Sequence, residues 1–339
     1  MKRKVVVIPG DGIGPEIMSA ALDVLKSILD FEIIQCEAGY NFWKRSGKAI
    51  TEETLEAIRE IGVCLKGPTI TPSGPGTFKS VAATLRQGLD LYANVRPIKS
   101  RRGVKSIYKD VDFIIFRENT ECLYKGLEYR INDATLGVRV ITKHASERIA
   151  RMAFQWAVRE KRKKVTAVHK ANILKETCGI FLEACREVAK SFPNIKFEEM
   201  LVDAAAYRMV INPKHFDIVV TTNMFGDILS DEAAGIIGSL GLVPSANIGE
   251  KCAMFEPVHG VVLHKAGKGL ANPSAMILSC SMMLKYIGLE DASRLVERAL
   301  EEVLAEGKVL TPDMGGKATT QEMANEVIRK IKALTEVNS

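Results

Sequence analysis

The chain has 339 residues, of which 47% are hydrophobic and 26% are charged, with a formal net charge of +6. This is the composition of a soluble globular protein. The length suffices for one large domain or two ordinary ones, and the excess of positive charge suits an acidic substrate. No apolar run approaches the ~20 residues that span a bilayer, and the basic stretch 159–164 lacks interleaved aromatic residues, so we expect neither a membrane nor a nucleic-acid partner.

Strand and helix patterns alternate along the chain. Buried strands are predicted at residues 5–8, 63–65, 111–116, 165–168 and 216–220. Helices are predicted from Pro15, after the N-cap Thr51, over 146–158 and 180–188, and through most of the chain from Asn272 onward, with breaks at Gly288 and Gly307. This alternation predicts an α/β protein whose sheet is covered by helices on both faces.

The first predicted strand leads into a glycine-rich turn, residues 9–16. Its spacing is Gly-x-Gly-x-Gly rather than Gly-x-Gly-x-x-Gly, and no convincing acid follows a second strand. We interpret it as a tight turn rather than a Rossmann fingerprint.

The seven cysteines include no Cys-x-x-Cys pair, which favours reduced thiols in a cytoplasmic protein.

Four candidate arginines follow between residues 86 and 117. Arg96 and Arg117 are each predicted at the end of an apolar strand, where sites gather in sheet-and-helix proteins. Arg86 follows Ser80 by six residues, so the two side chains border one pocket only if Ser80 lies in the first turn of its helix. Guanidinium groups suit carboxylate ligands, although a structural salt bridge is the alternative for each arginine, including a fourth candidate, Arg101.

Two carboxylates, Asp227 and Asp231, lie four residues apart and therefore on one face of a helix. Like charges this close repel one another and favour a cation between them. Together with Asp203 they predict a site for a divalent ion with oxygen ligands. Lys170 follows a buried strand and is a candidate base, and Tyr124 is a candidate acid, with an ordinary surface role as the alternative for both.

Six segments together resemble one family over nearly the whole chain, the β-decarboxylating dehydrogenases of isocitrate, homoisocitrate and 3-isopropylmalate. The matching segments are residues 10–16, 91–97, 117–121, 169–172, 223–231 and 255–260. The resemblance implies a two-lobed α/β fold distinct from the Rossmann fold, with the active site in the cleft between the lobes. Residues 1–93 and 244–339 would form the large domain, and residues 94–243 the small domain with the dimer interface.

The resemblance also implies metal-dependent oxidative decarboxylation of a 3-carboxy-2-hydroxy acid, with hydride transfer to NAD or NADP. The substrate carboxylates would be held by Arg86, Arg96 and Arg117. Mg²⁺ or Mn²⁺ would be bound by Asp227 and Asp231 together with the partner's Asp203. The implied assembly is a homodimer with shared active sites, and a higher oligomer stays open.

By the same resemblance, Lys170 would take the hydroxyl proton and Tyr124 would protonate the enol carbon. Lys170, like Asp203, would serve the site of the partner subunit. Cofactor contacts are implied for Thr71, Asn172, His259, Gly260, His264, Lys265 and Asn272.

The substrate and the cofactor are the points at which this chain departs from the family patterns. Ser80 beside the small Ala82 predicts a polar, roomy pocket, and Lys79 could meet a distal carboxylate, so we favour isocitrate or homoisocitrate, with 3-isopropylmalate as the alternative. His264 and Lys265 would suit NADP, whereas residues 310–316 resemble the NAD-using members, so both cofactors stay open. A non-catalytic regulatory subunit and a metal-dependent acid-binding protein are the alternatives from other classes.

Overall fold

One ten-stranded mixed sheet organises the computed structural model, which describes residues 2–74 and 76–336. In spatial order its strands are β2 (Phe31–Gln35), β1 (Arg3–Ile8), β3 (Val63–Lys66), β12 (Ala253–Pro257), β11 (Pro244–Ile248), β4 (Ala93–Lys99), β5 (Asp112–Glu118), β10 (Ile218–Thr221), β8 (Lys164–His169) and β9 (Lys196–Leu201). The central strands β11 and β4 are antiparallel to both of their neighbours. The parallel strands on either side therefore form two blocks that run in opposite directions.

Helices cover both faces of this sheet. They are α1 (Gly14–Lys26), α2 (Tyr40–Ser46), α3 (Glu52–Ile61), α4 (Val81–Gly88), α5 (Lys143–Arg159), α6 (Lys175–Lys190), α7 (Val202–Ile211), α8 (Asn223–Ile236), α9 (Ser274–Tyr286), α10 (Glu290–Glu306) and α11 (Thr320–Glu336). Successive strand residues point to opposite faces. Accordingly, Val5 and Val7 belong to the core cluster of α1 and α9–α11, whereas Val6 and Ile8 belong to the cluster of α3 and α4. The predicted two-sided α/β architecture is confirmed.

Local signals in the sequence predicted some of the element boundaries. The Thr51 hydroxyl accepts a hydrogen bond from the Thr54 N–H and caps α3, as predicted. The breaks between the last three helices fall at Gly288 and Gly307, whose φ angles of +82° and +68° favour glycine. The five predicted strands are confirmed with shifted ends, whereas β2, β9, β11, β12 and two short strands at 128–131 and 134–137 were not predicted. In β11, Ser245 and Asn247 interrupt the apolar pattern.

The glycine-rich turn after β1 is a structural element. Asp11 is fully buried, and its carboxylate accepts hydrogen bonds from the N–H groups of Tyr40, Asn41 and Ile70. Gly12 has a φ of +59°, and a Cβ there would lie 2.1 Å from the Val261 carbonyl oxygen. The turn therefore joins three segments of the chain, in agreement with its interpretation as a tight turn.

The order of the strands follows the two predicted domain ranges. Strands β2, β1, β3, β12 and β11 come from residues 1–93 and 244–339, and the other five come almost entirely from residues 94–243. The sheet is continuous between these groups, since Asn94 of β4 is in register with Asn247 of β11. The division into a large and a small domain stays a prediction.

A separate two-stranded hairpin, β6 (Glu128–Ile131) and β7 (Ala134–Gly137), projects from the second group of strands, and all of its strand residues are exposed. Within residues 2–74 and 76–336, no helix combines the length and the apolar character that crossing a membrane requires.

Candidate active site

A cavity of about 210 Å³ opens at the centre of the sheet, where the two predicted domain ranges meet. Its lining draws Ser80 and Arg86 from one range and Arg96 and Arg117 from the other. Ser80 is the N-cap of α4, which is the position that lets it share a pocket with Arg86. The predicted site residues that line the cavity are Ser80, Arg86, Arg96, Arg117, Tyr124, Asp227, His259 and Gly260.

Three of the lining residues are buried arginines, with exposed fractions of 9% for Arg86, 4% for Arg96 and 1% for Arg117. Burial and the neighbouring Arg96 lower the pKa of Arg117 to about 9, which reports the cost of holding like charges together out of water. Three guanidinium groups around one cavity are an arrangement that anionic ligands stabilise.

Polar side chains fix the direction of each guanidinium. Arg86 donates to Asn247 at 3.0 Å and to Glu256 at 2.9 Å. Arg96 donates to Asn94 at 2.6 Å and to Ser230 at 2.5 Å. Because these partners belong to β4, β11, β12 and α8, the arginines are held by the rigid centre of the fold.

Two expectations about the arginines require correction. Arg96 lies in the middle of β4 rather than at its end, and its side chain reaches the cavity because the strand crosses the centre of the sheet. Arg101, the fourth candidate, lies elsewhere and pairs with Glu301 at 2.5 Å, so the salt-bridge alternative holds for it.

Asp227 and Asp231 lie one turn apart on α8, as predicted from their spacing. Asp227 accepts hydrogen bonds from Arg117 and from the Tyr124 hydroxyl, and Arg96 lies 3.4 Å from Asp227 and 3.7 Å from Asp231. Burial raises the pKa of Asp227, but Arg117 and Arg96 outweigh this effect and hold it below its usual value. Burial and the neighbouring Asp227 raise the pKa of Asp231 despite Arg96.

Gly226 determines how closely α8 approaches β5. A Cβ at this position would lie 2.7 Å from the Cβ and Cγ atoms of Arg117. Contacts below 3 Å between such atoms require one of the elements to move. The absence of a side chain at Gly226 therefore brings Asp227 within reach of Arg117.

Lys170 and Asp203 lie together but outside this cavity. Their side chains form an ion pair of 2.5 Å, and the hydrogen bond from Lys170 lowers the pKa of Asp203. Within the described part of this one chain, no three histidine, cysteine, aspartate or glutamate side chains are grouped so that they could hold a metal ion. Asp227 and Asp231 supply oxygen ligands that suit a hard dication, and a further ligand would come from outside this group.

The residues expected to contact the cofactor are spread over a wider surface. His259 and Gly260 line the cavity, whereas Thr71, Asn172 and His264 are exposed and lie outside its lining, as do Lys265 and Asn272. Thr69 occupies the lining in place of Thr71, because the chain turns toward solvent after Pro68. These assignments stay predictions.

His259 has a buried ring nitrogen that no described residue contacts by a hydrogen bond, as expected of a histidine that binds a ligand. It is 8% exposed, its Nδ1 lies 3.0 Å from the Gly260 carbonyl oxygen, and its Nε2 is buried without a hydrogen-bond partner among the described residues. Burial lowers the pKa of His259, so the ring is neutral at neutral pH. The unpaired nitrogen is available to a ligand, and the residues present therefore fit a bound nucleotide.

Lys66 and Glu256 are site residues that sequence reasoning missed. Lys66 is 1% exposed, and its ammonium lies 2.7 Å from Glu256, which also accepts from Arg86. Both charged side chains line the cavity. Lys66 ends the buried strand β3, so it carries the same signal, a charge at the end of an apolar strand, that identified Arg117.

Comparisons with known proteins identify the family of the chain. A family model described as isocitrate/isopropylmalate dehydrogenase matches residues 4–327. The 3-isopropylmalate dehydrogenase of Archaeoglobus fulgidus is 51% identical over 96% of this chain and 98% of its own length. The homoisocitrate dehydrogenase of Methanocaldococcus jannaschii is 46% identical over 97% of this chain and 98% of its own. The crystal structure of isocitrate dehydrogenase from Methylococcus capsulatus superposes with a TM-score of 0.95 at 47% identity, covering 98% of this chain and 100% of that chain. With matches of this extent, the chain belongs to the isocitrate/isopropylmalate dehydrogenase family.

Proposed function

We propose that the protein catalyses the oxidative decarboxylation of a 3-substituted malate, with 3-isopropylmalate as its main substrate. The observation that carries this proposal is the convergence of three buried arginines with Asp227 on one cavity. Guanidinium groups in fixed directions suit the two malate carboxylates that all substrates of such a reaction share.

The surroundings of α4 support the isopropyl substituent over a carboxylate. The ammonium of Lys79 donates to Gln87 at 2.5 Å, and the Ser80 hydroxyl accepts from the Ala83 N–H as the helix cap. The cavity lining in this region includes the apolar Ala82. The polar groups of Lys79 and Ser80, which favoured isocitrate, are therefore partly occupied by hydrogen bonds within the chain. The relative from Archaeoglobus fulgidus, at 51% identity, is named 3-isopropylmalate dehydrogenase.

Isocitrate or homoisocitrate is the second candidate. Ser80 lines the same cavity, and its hydroxyl can donate a hydrogen bond to a third carboxylate. The relatives named for these acids are only slightly less similar. Because a methylene or methyl group changes transition-state binding by only about 1–3 kcal/mol, we expect measurable turnover of more than one acid.

Two residues of the chain transfer protons in the proposed reaction, Lys170 as the base and Tyr124 as the acid. When bound, the dication would polarise the C2 oxygen and the nicotinamide would accept the hydride. Lys170 accepts the proton of the C2 hydroxyl. After CO₂ leaves, Tyr124 donates a proton to the enol carbon. Burial raises the pKa of Tyr124, and Asp227 adds to this effect against Arg117, so the phenol keeps its proton at neutral pH, as an acid requires.

We infer a homodimer in which Lys170 and Asp203 complete the site of the partner subunit. In one chain these two residues do not reach the Asp227–Asp231 pair, which needs a further ligand. Large apolar side chains that are at least 45% exposed occur on the β6–β7 hairpin and on α7 and α8; they are Tyr129, Ile131, Leu136, Tyr207, Val210, Ile211 and Ile228. Apolar surface of this kind marks interfaces between chains.

We infer Mg²⁺ or Mn²⁺ as the metal and NAD rather than NADP as the cofactor. Asp313 accepts hydrogen bonds from Asn272 at 3.0 Å and from Thr311 at 2.6 Å. Because Asn272 is a predicted cofactor contact, the carboxylate of Asp313 would accept a bond from a ribose hydroxyl and repel a 2′-phosphate. His264 and Lys265 argue for NADP and, like Asp313 and Asn272, lie outside the cavity lining. The seven free cysteines support a reducing, cytoplasmic location.

A matrix of kcat/KM values for the three acids with NAD and NADP, in the presence of Mg²⁺ or Mn²⁺, tests the proposal. We expect reduced nicotinamide to form with at least one acid and the highest value with 3-isopropylmalate and NAD. Lys170→Met and Tyr124→Phe should each lower kcat by roughly 10²–10⁴-fold while substrate binding stays measurable by calorimetry. Binding without turnover of any acid by the wild-type protein would favour the regulatory subunit instead.

A further inference from the structure

Cys122 has a backbone conformation that is essentially reserved for glycine. Its φ is +70° and its ψ is −149°, and it lies two residues before Tyr124. A non-glycine residue in this region is strained and persists only when its surroundings hold it in place. The Cys122 N–H donates to the Val140 carbonyl at 2.8 Å, and the fully buried sulfur accepts from Arg139 Nε at 3.4 Å.

The other nitrogens of Arg139 contact two more segments of the chain. Nη1 donates to the Thr177 hydroxyl at 2.8 Å and to the Cys178 sulfur at 3.2 Å, both on α6. The same sulfur accepts a hydrogen bond from the backbone N–H of Lys170 at 3.3 Å. Arg139 thereby reaches the segment that carries the proposed base.

The third contact is with the start of α8. Nη2 donates to the Thr222 hydroxyl at 3.0 Å, and the guanidinium lies over the Phe225 ring at 5.1 Å. Asn223, between these residues, accepts from Arg117, and Asp227 follows one turn later. The planar fork of one arginine thus joins the segments of Tyr124, Lys170 and Asp227, a geometry that the single ammonium of lysine cannot reproduce.

We propose that Arg139 is a positioning residue that fixes the Tyr124 and Lys170 segments relative to α8, with the strained Cys122 as its anchor. The inference rests on the proposed function, in which Tyr124 and Lys170 move protons. In a dimer with shared sites, the two segments serve different active sites, so one side chain aligns the acid of one site with the base of the other. Substrate binding depends less on this contact, because two of the three arginines that line the cavity, Arg86 and Arg96, are held by Asn94, Asn247 and Glu256.

Steady-state kinetics of Arg139→Met and Arg139→Lys test the inference. We expect kcat to fall roughly 10- to 100-fold in both variants, with KM for the acid changing less than about three-fold, because misplaced catalytic groups affect the chemical step more than binding. The control is Arg151→Met, which removes an exposed arginine of α5 and should leave kcat unchanged. A kcat within about two-fold of wild type in Arg139→Met would overturn the assignment.

A second measurement does not depend on turnover. Maleimide labelling of each folded variant, mapped by mass spectrometry, should show Cys122 and Cys178 reacting roughly ten-fold faster in Arg139→Met than in wild type, while the buried Cys185 stays protected. Equal acceleration at Cys185 would mean general unfolding and would also overturn a positioning role. If the wild-type protein turns over none of the acids, the proposed function fails, and unchanged labelling at Cys122 separately refutes the anchor.

Discussion

The ammonium of Lys66 and the guanidinium of Arg86 share one carboxylate, Glu256, in the lining of the cavity. These three charges are almost completely excluded from solvent. Removing one partner from a buried pair leaves an uncompensated charge, which costs far more than the loss of an exposed pair. For Arg86, the salt bridge and the ligand-binding role that the sequence offered as alternatives are therefore compatible, since Glu256 holds the guanidinium that lines the cavity.

Glu256→Gln should lower the free energy of unfolding by about 3–5 kcal/mol. Burial alone would raise the pKa of Glu256, but Lys66 and Arg86 hold it well below its usual value. The resulting stabilisation is complete above the pKa of the unfolded state and is lost as the pH falls through the pKa of the folded state. The free energy of unfolding of the variant should therefore change less with pH than that of the wild type below about pH 4.5. Urea unfolding at a series of acidic pH values measures both effects.

Glu290→Gln is the matched control for this experiment. Glu290 forms an exposed ion pair with Arg294 one turn away at 3.2 Å, and its loss should change stability by less than about 1 kcal/mol. If Glu256→Gln unfolded as easily as this control, the buried network would not have the structural role argued for it.

At the scale of single elements, α8 is the helix on which the site depends most. It follows β10 directly and presents Asp227 and Asp231 on one face and Gly226 toward Arg117. Periodicity predicted the helix and the common face of the two aspartates. The close approach to β5 could not be predicted, because it depends on which strand lies beneath the glycine.

Gly226→Ala should move α8 away from β5 and lower kcat/KM by at least about 100-fold, since a displacement of roughly 1 Å misaligns reacting groups. Gly235→Ala, in the same helix, is the matched control, because a Cβ there meets no atom within 4 Å. The control should raise the free energy of unfolding by about 0.5–1 kcal/mol through helix propensity and leave activity intact. Equal activity of the two variants would show that helix spacing does not control the site.

At the scale of the whole molecule, Lys170 and Asp203 lie apart from the cavity of their own chain, so the proposed site is complete only in a dimer. A site shared between two chains predicts complementation between inactive variants. Mixed dimers of Asp203→Asn and Asp231→Asn would contain one site with both changes and one site with neither.

Unfolding and refolding the two variants together should therefore restore roughly a quarter of wild-type activity, because half of the dimers are mixed and each has one intact site. Each variant refolded alone should stay inactive and serves as the control. Activity in the mixture that did not exceed the sum of the two separate preparations would refute a site shared between two chains.

The sequence by itself determined the alternation of strands and helices, the cap at Thr51, and the common face of Asp227 and Asp231. These features depend on local periodicity and backbone preference, which act between residues close in the chain. The six segments that resemble the β-decarboxylating dehydrogenases also identified the family. Only the tertiary structure decided that Glu256 holds Arg86 and that Arg139 joins three segments, because these contacts link residues that are far apart in sequence. Glutamate and arginine are mostly exposed in proteins, so their type alone does not predict such buried contacts. It also separated Arg101 from the other arginines, since only packing decides which charged side chains share one cavity.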